Sequence, residues 1–144
     1  MRKLTLVILG VILSLNVQAQ TLLGQFYKTV QTKEAKEIVS MSNEIIKIEM
    51  NGSTVIYGFN DAYLCTDVVM FVHNVGEDYL INWCRTQDHL VKSKTELNVW
   101  WFVLDIATNK TFACRLSLEY NDGDMPYLHS RLVYDVNEKN TVSN

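Results

Sequence analysis

The sequence predicts an α+β domain: an antiparallel sheet of about six strands carrying two helices, in the order α-βββ-α-βββ. Three observations lead there. Asn51-Gly52 separates two alternating apolar runs, strand-like runs come in groups joined by short turns, and each group follows a segment with helical apolar spacing.

Leu23, Tyr27, Val30, Ile38 and Met41 recur at helical spacing over 21–42. Either one helix covers this stretch, or a short helix ends near Gln31 and a second begins at Thr32. Thr32 would then be the N-cap of Lys33-Glu34-Ala35-Lys36-Glu37, all good helix formers. Asn51-Gly52 next predicts a hairpin with a type I′ turn, which needs positive φ at both residues. Pairing Met50 with Ser53 sets Ile48 against Val55 and Ile46 against Tyr57 on one side. Lys47 and Glu49 fall on the other, beside Ile56 and Thr54.

A third strand is expected from Leu64 to His73. Val68, Met70 and Val72 take one face and Cys65, Val69 and Phe71 the other, so it should be central and covered. Asn74-Val75-Gly76-Glu77 reads as a capping box, with a helix following to Asp88. Tyr79, Leu80, Trp83 and Cys84 make its buried stripe.

Three more strands close the chain. Leu97 to Ile106 is apolar on both faces. Phe112 to Tyr120 alternates, with Phe112, Cys114, Leu116, Leu118 and Tyr120 inward and Ala113, Arg115, Ser117 and Glu119 outward. Leu128 to Val136 repeats the pattern, with Leu132, Tyr134 and Val136 inward and His129, Arg131 and Asp135 outward. Neither a linker nor a repeat interrupts the chain, so residues 20–137 read as one domain, with a frayed polar tail over 138–144.

The N-terminus has the design of a removable signal peptide over residues 1–19. Arg2 and Lys3 form the positive region, Leu4 to Val17 the apolar run, and Val17-Gln18-Ala19 the cleavage site before Gln20. That run is about 14 residues, short of the roughly 20 that a spanning helix needs. No membrane span is therefore expected after cleavage. The first cysteine, Cys65, is far from the cut, which disfavours a lipoprotein.

The chain has 13 basic and 16 acidic residues; removing Arg2 and Lys3 leaves 11 against 16, a net charge of −5. Without a basic stripe, nucleic acid is not an expected partner. Cys65, Cys84 and Cys114 admit one disulfide with a thiol left over, or three buried unpaired thiols. If a bridge forms, Cys84–Cys114 is the expected pair, since both point inward from packed elements. His73, His89 and His129 are scattered, and no metal or other cofactor is expected.

The last two strands predict one polar constellation. A pairing sum of 248 suits their loop; it sets Glu119 opposite His129 and Ser117 opposite Arg131, with Arg115 diagonal to Asp135. Trp101 should reach the same face near Ser117. Trp101, Arg115, Glu119, His129, Arg131 and Asp135 are thus the candidate binding residues. Trp101, Val99 and Val103 on this side call for a cover: the first helix, a ligand, or a second copy of the chain in a homodimer. Asp67 and His73 share a face of the third strand, but six residues at about 3.3 Å separate them by roughly 20 Å. No nucleophile elbow, metal box or phosphate loop occurs. Asn51-Gly52-Ser53 and Asn109-Lys110-Thr111 match the glycosylation sequon, which has weight in a eukaryotic source.

Glutamine after the cut, Tyr57-Gly58-Phe59, Cys65 entering a valine-rich strand, a helix and a Trp-bearing strand follow in order. In this the chain resembles the small exported proteins of unassigned function of Bacteroidetes-type bacteria. The resemblance implies a periplasmic or extracellular location and carries no catalytic residues across. The expected function is a non-catalytic exported module binding a protein or cell-envelope ligand. The alternative is a small envelope hydrolase using the Glu119/His129 pair as base and orienter.

Overall fold

Alternating apolar residues give the chain one continuous sheet with one helix-covered face. The computed structural model describes residues 22–138. The expected signal peptide over 1–19, its expected cleavage position and the chain beyond Glu138 lie outside the described residues.

The elements in order are α1 (Tyr27–Lys33), a 3-10 turn (Ala35–Glu37), β1 (Ile38–Met41), β2 (Ile45–Met50), β3 (Ser53–Phe59), β4 (Cys65–Val72), α2 (Glu77–Thr86), β5 (Val91–Lys92), β6 (Val99–Asp105), β7 (Thr111–Tyr120) and β8 (Pro126–Asp135). The strands form one antiparallel sheet in the order β1-β2-β3-β4-β8-β7-β6-β5. Two four-strand meanders therefore join where β4 meets β8, and α2 connects them.

The expected six strands and two helices in the order α-βββ-α-βββ are corrected, among the described residues, to eight strands in one antiparallel sheet with short helical segments. Both extra strands are short and lie at the sheet edges. β5 has two residues, too few to show alternation. β1 was hidden because Ile38 and Met41 are three apart, a helical interval, while β-branched Ile38 and Val39 favour a strand. It pairs with β2 through a register shift between Ile38 and Ser40. Thr32 is no N-cap: its hydroxyl donates to the Lys28 carbonyl at 2.8 Å, inside α1.

The β2–β3 hairpin has the register expected of it, with Met50 opposite Ser53, Ile48 opposite Val55 and Ile46 opposite Tyr57. Its turn differs. Gly52 has φ 81° but Asn51 does not take positive φ, so the sign pattern is that of type II rather than type I′. In β4, Cys65 pairs with Phe59 and Asp67 with Gly58, leaving Thr66 as a bulge. The bulge turns Cys65 onto the core face with Val68, contrary to simple alternation. The expected capping box at Asn74 does not form either. Asn74 has φ 65°, and α2 starts after Gly76 with no side-chain cap. Of its expected stripe, Leu80, Trp83 and Cys84 are buried and Tyr79 is half-buried.

One core cluster unites Val30 of α1, Leu80 and Trp83 of α2, and inward residues such as Ile46, Ile48, Tyr57, Val68, Trp100 and Leu116. Both helices thus cover the same face. Gly24 anchors the chain before α1: its N–H donates to the Cys65 carbonyl at 2.8 Å, and its carbonyl accepts from Ala107 at 2.9 Å. Its φ is 81°, and a Cβ at this position would lie only 2.3 Å from Ile106 Cγ2, so the position requires glycine.

All three cysteines are buried free thiols, the second of the two readings the sequence left open, and the Cys84–Cys114 pair expected if a bridge formed is not bonded. Cys65, Cys84 and Cys114 lie in the same apolar core, where burial pushes each thiol up to about 12. They pack as small hydrophobes. Among the described residues, no helix is long and apolar enough to cross a membrane.

Candidate functional site

The pairing of β4 with β8 assembles the site on the face away from the helices. Asp67 stands opposite Arg131 and Val69 opposite His129. On the other side of β8, Ser117 is opposite His129 and Arg115 opposite Arg131, and Trp101 of β6 is opposite Arg115. A row of Trp101, Arg115, Arg131 and Asp67 therefore crosses four strands.

His129 sits between two carboxylates. Its Nε2 is 2.8 Å from Asp67 Oδ1 and its Nδ1 is 2.8 Å from Glu119 Oε2. Ser117 donates to the same Glu119 oxygen at 2.8 Å, and Thr66, the bulge residue, donates to Asp67 Oδ2 at 2.8 Å. With both carboxylates ionised, both ring nitrogens must carry protons, so the arrangement favours imidazolium. The hydrogen bond to Asp67 raises the His129 pKa above its ordinary value, with the charge of Glu119 and the bond to it acting the same way; burial opposes them. Asp67 is lowered chiefly by its bond to His129, helped by Thr66 and by the charges of His129 and Arg131. The three side chains tie β4, β7 and β8 together. No imidazole nitrogen is left over to take a proton from a substrate.

The two arginines differ. Arg115 is held by Glu96 at 2.5 Å. Arg131 is exposed and takes part in none of the ion pairs among the described residues. Beside this row, Val91, Trp101, Val103, Ala113, Tyr134 and Val136 line a groove of about 390 Å³, with His89 and Phe102 also in its lining. The Trp101 and Tyr134 rings are 6.4 Å apart and tilted by 45°.

Five of the six residues expected here, namely Trp101, Arg115, Glu119, His129 and Arg131, share this face. Their register is corrected. The pairs sum to 246, not 248, because β8 begins at Pro126, which pairs with Tyr120. Proline is tolerated at a strand's first residue, where no ladder N–H is needed. Asn121 closes the turn by accepting from the N–H groups of Gly123 and Met125 at 3.0 and 2.9 Å. Glu119 thus reaches His129 on the diagonal. Asp135 is the exception. Ala113 pairs with Tyr134 and Cys114 with Leu132, so a bulge at Val133 reverses the later alternation. Asp135 is turned opposite Phe112, buried, with Lys110 Nζ 4.0 Å away. Tyr134 and Val136, both expected inward, line the groove instead.

Asp67, Glu96 and Tyr134 were not legible as site residues. Asp67 depends on a β4–β8 pairing that no local signal encodes, and Tyr134 on a bulge. His73 is apart from this site, with its Nε2 2.9 Å from Thr54 Oγ1. No family model, no curated protein and no solved structure matches the chain.

Proposed function

We propose that this is an exported, non-catalytic binding module acting in the periplasm or at the cell surface, through the sheet face that carries Trp101, Arg115 and Arg131. The observation that carries the non-catalytic part is the saturation of His129, whose two nitrogens both face carboxylates at 2.8 Å. A general base needs a nitrogen within reach of the substrate's proton. The Glu119/His129 hydrolase reading lacks one, and Ser117 points its hydroxyl at Glu119 instead of the ring. The binding part rests on the face itself. Neither helix covers it, and it combines an aromatic groove with a cation that has no ion-pair partner among the described residues, the residue types that anchor interfaces.

Chemical cross-linking in the native host, followed by purification, tests this reading. A partner should copurify with the wild type and be lost from Arg115→Glu/Arg131→Glu. Unchanged copurification would remove this face from consideration. A broad hydrolase screen should be flat, and turnover abolished by His129→Gln would establish the enzyme instead. Export rests on residues 1–19 and has its own test: mass spectrometry should find a chain beginning at Gln20, whereas full-length protein in the membrane fraction would overturn it.

A further inference from the structure

The geometry points to a ligand class for this face: a small molecule with a flat apolar body and a single anionic group, of the aromatic-acid type. The inference rests on the binding reading above and deepens it.

The groove exists because a small residue lies among large ones. Ala113 pairs with Val103 on one side and Tyr134 on the other, and Trp101 occupies the neighbouring row. Ala113 is 6% exposed and forms the floor, while Val103 at 65% forms an open rim. A methyl group cannot fill the space that the flanking indole and phenol rings define, so a trough remains. Its volume of about 390 Å³ lies in the range of small-molecule sites. The walls offer aromatic faces, aliphatic carbons and the His89 ring, a mainly apolar lining that selects a flat apolar body over a strongly hydrated one.

The anionic group follows from the next row of the sheet. Arg115 and Arg131 lie directly opposite one another, and like charges so placed repel. Glu96 neutralises Arg115. Across from Arg131 is Asp67, but its Oδ1 is engaged by His129 and its Oδ2 by Thr66. Arg131 takes part in no ion pair among the described residues, so its guanidinium keeps donors for an incoming anion and matches the planar fork of a carboxylate. The two rows are two residues apart along the strand, or about 7 Å. A ring over Ala113 with an acidic group one substituent away spans that distance.

Titration of the full-length protein with the aromatic anion anilinonaphthalenesulfonate, followed by fluorescence, tests the assignment. The neutral analogue phenylnaphthylamine serves as the control. One saturable site is expected. Arg131→Gln should weaken the anion about tenfold and leave the neutral probe unchanged, as expected for loss of a charge-assisted hydrogen bond. Ala113→Leu should abolish both by filling the floor. Val103→Glu, at an exposed rim where folding is undisturbed, should repel the anion alone. No saturable binding, or binding indifferent to both Ala113→Leu and Val103→Glu, overturns the proposal. So does a dimer that Val103→Glu dissociates, since the groove would then belong to a second copy. A cross-linked partner lost on arginine reversal, with the probe unbound, would leave the binding reading standing and remove only the ligand class.

Discussion

The two faces of the sheet are built from the same strands, yet they are held together differently. On the helix-covered face, Ile46, Tyr57, Val68 and Leu116 are at most 2% exposed. That face is stabilised by removing apolar surface from water, at roughly 25 cal/mol per Å². The open face interleaves Lys47, Asp67, Arg115, His129 and Arg131 with Trp101, Val69 and Ile56, and most of these are only partly buried. Its cross-strand polar pairs contribute less each, because water screens them. The covered face thus supplies the stability. The open face is free to hold side chains chosen for recognition, including two opposed arginines that folding alone would disfavour.

Substitutions should reproduce this ranking. Leu116→Ala removes a fully buried side chain at the centre of the covered face and should cost about 2–5 kcal/mol in urea unfolding. A loss no larger than that of an open-face variant would break the contrast. Gly24→Ala should follow, at more than about 1 kcal/mol, since both its φ and the approach of Ile106 exclude a Cβ. Wild-type stability in that variant would mean the segment before α1 does not depend on this anchor.

The His129 clamp should give a smaller, pH-dependent effect. The groups facing the ring are Asp67 from β4, Glu119 and Ser117 from β7, and Arg131 from its own strand. The His129 pKa is raised above 6.5, so its contribution is complete below that value and is lost as pH rises through the folded pKa. Asp67 is depressed below 3.8, so its contribution is present above 3.8 and is lost as pH falls through the folded pKa. The difference in urea midpoint between wild type and His129→Gln should therefore peak between about pH 4 and 6.5 and shrink at higher pH. A difference that grows from pH 6 to 9 would show that the ring is held neutral. Smallest of all, Val103→Glu should change stability by no more than about 0.5 kcal/mol, which thermal unfolding can check.

Legibility in the sequence tracked the distance between partners. The register of the β2–β3 hairpin, though not its turn type, could be read residue by residue because loop length and alternation agree over a dozen neighbouring positions. The β7–β8 hairpin kept its correct faces for Arg115, Glu119, His129 and Arg131, since a slip of two residues preserves parity. Its partners shifted all the same, because Pro126 joins the strand. At the far end, the Val133 bulge moved Asp135 off the face and brought Tyr134 onto it.

What the sequence by itself determined is the local amphipathic pattern: which side of each regular strand is apolar, the stripe on α2, and the register of the first hairpin. Side-chain alternation and helical spacing are properties of neighbouring residues. The pairing of β4 with β8, the two bulges and the edge strands were decided only by the tertiary structure. Each depends on contacts between distant segments competing for the same backbone hydrogen bonds. Asp67 and His129, 62 positions apart, meet for that reason alone.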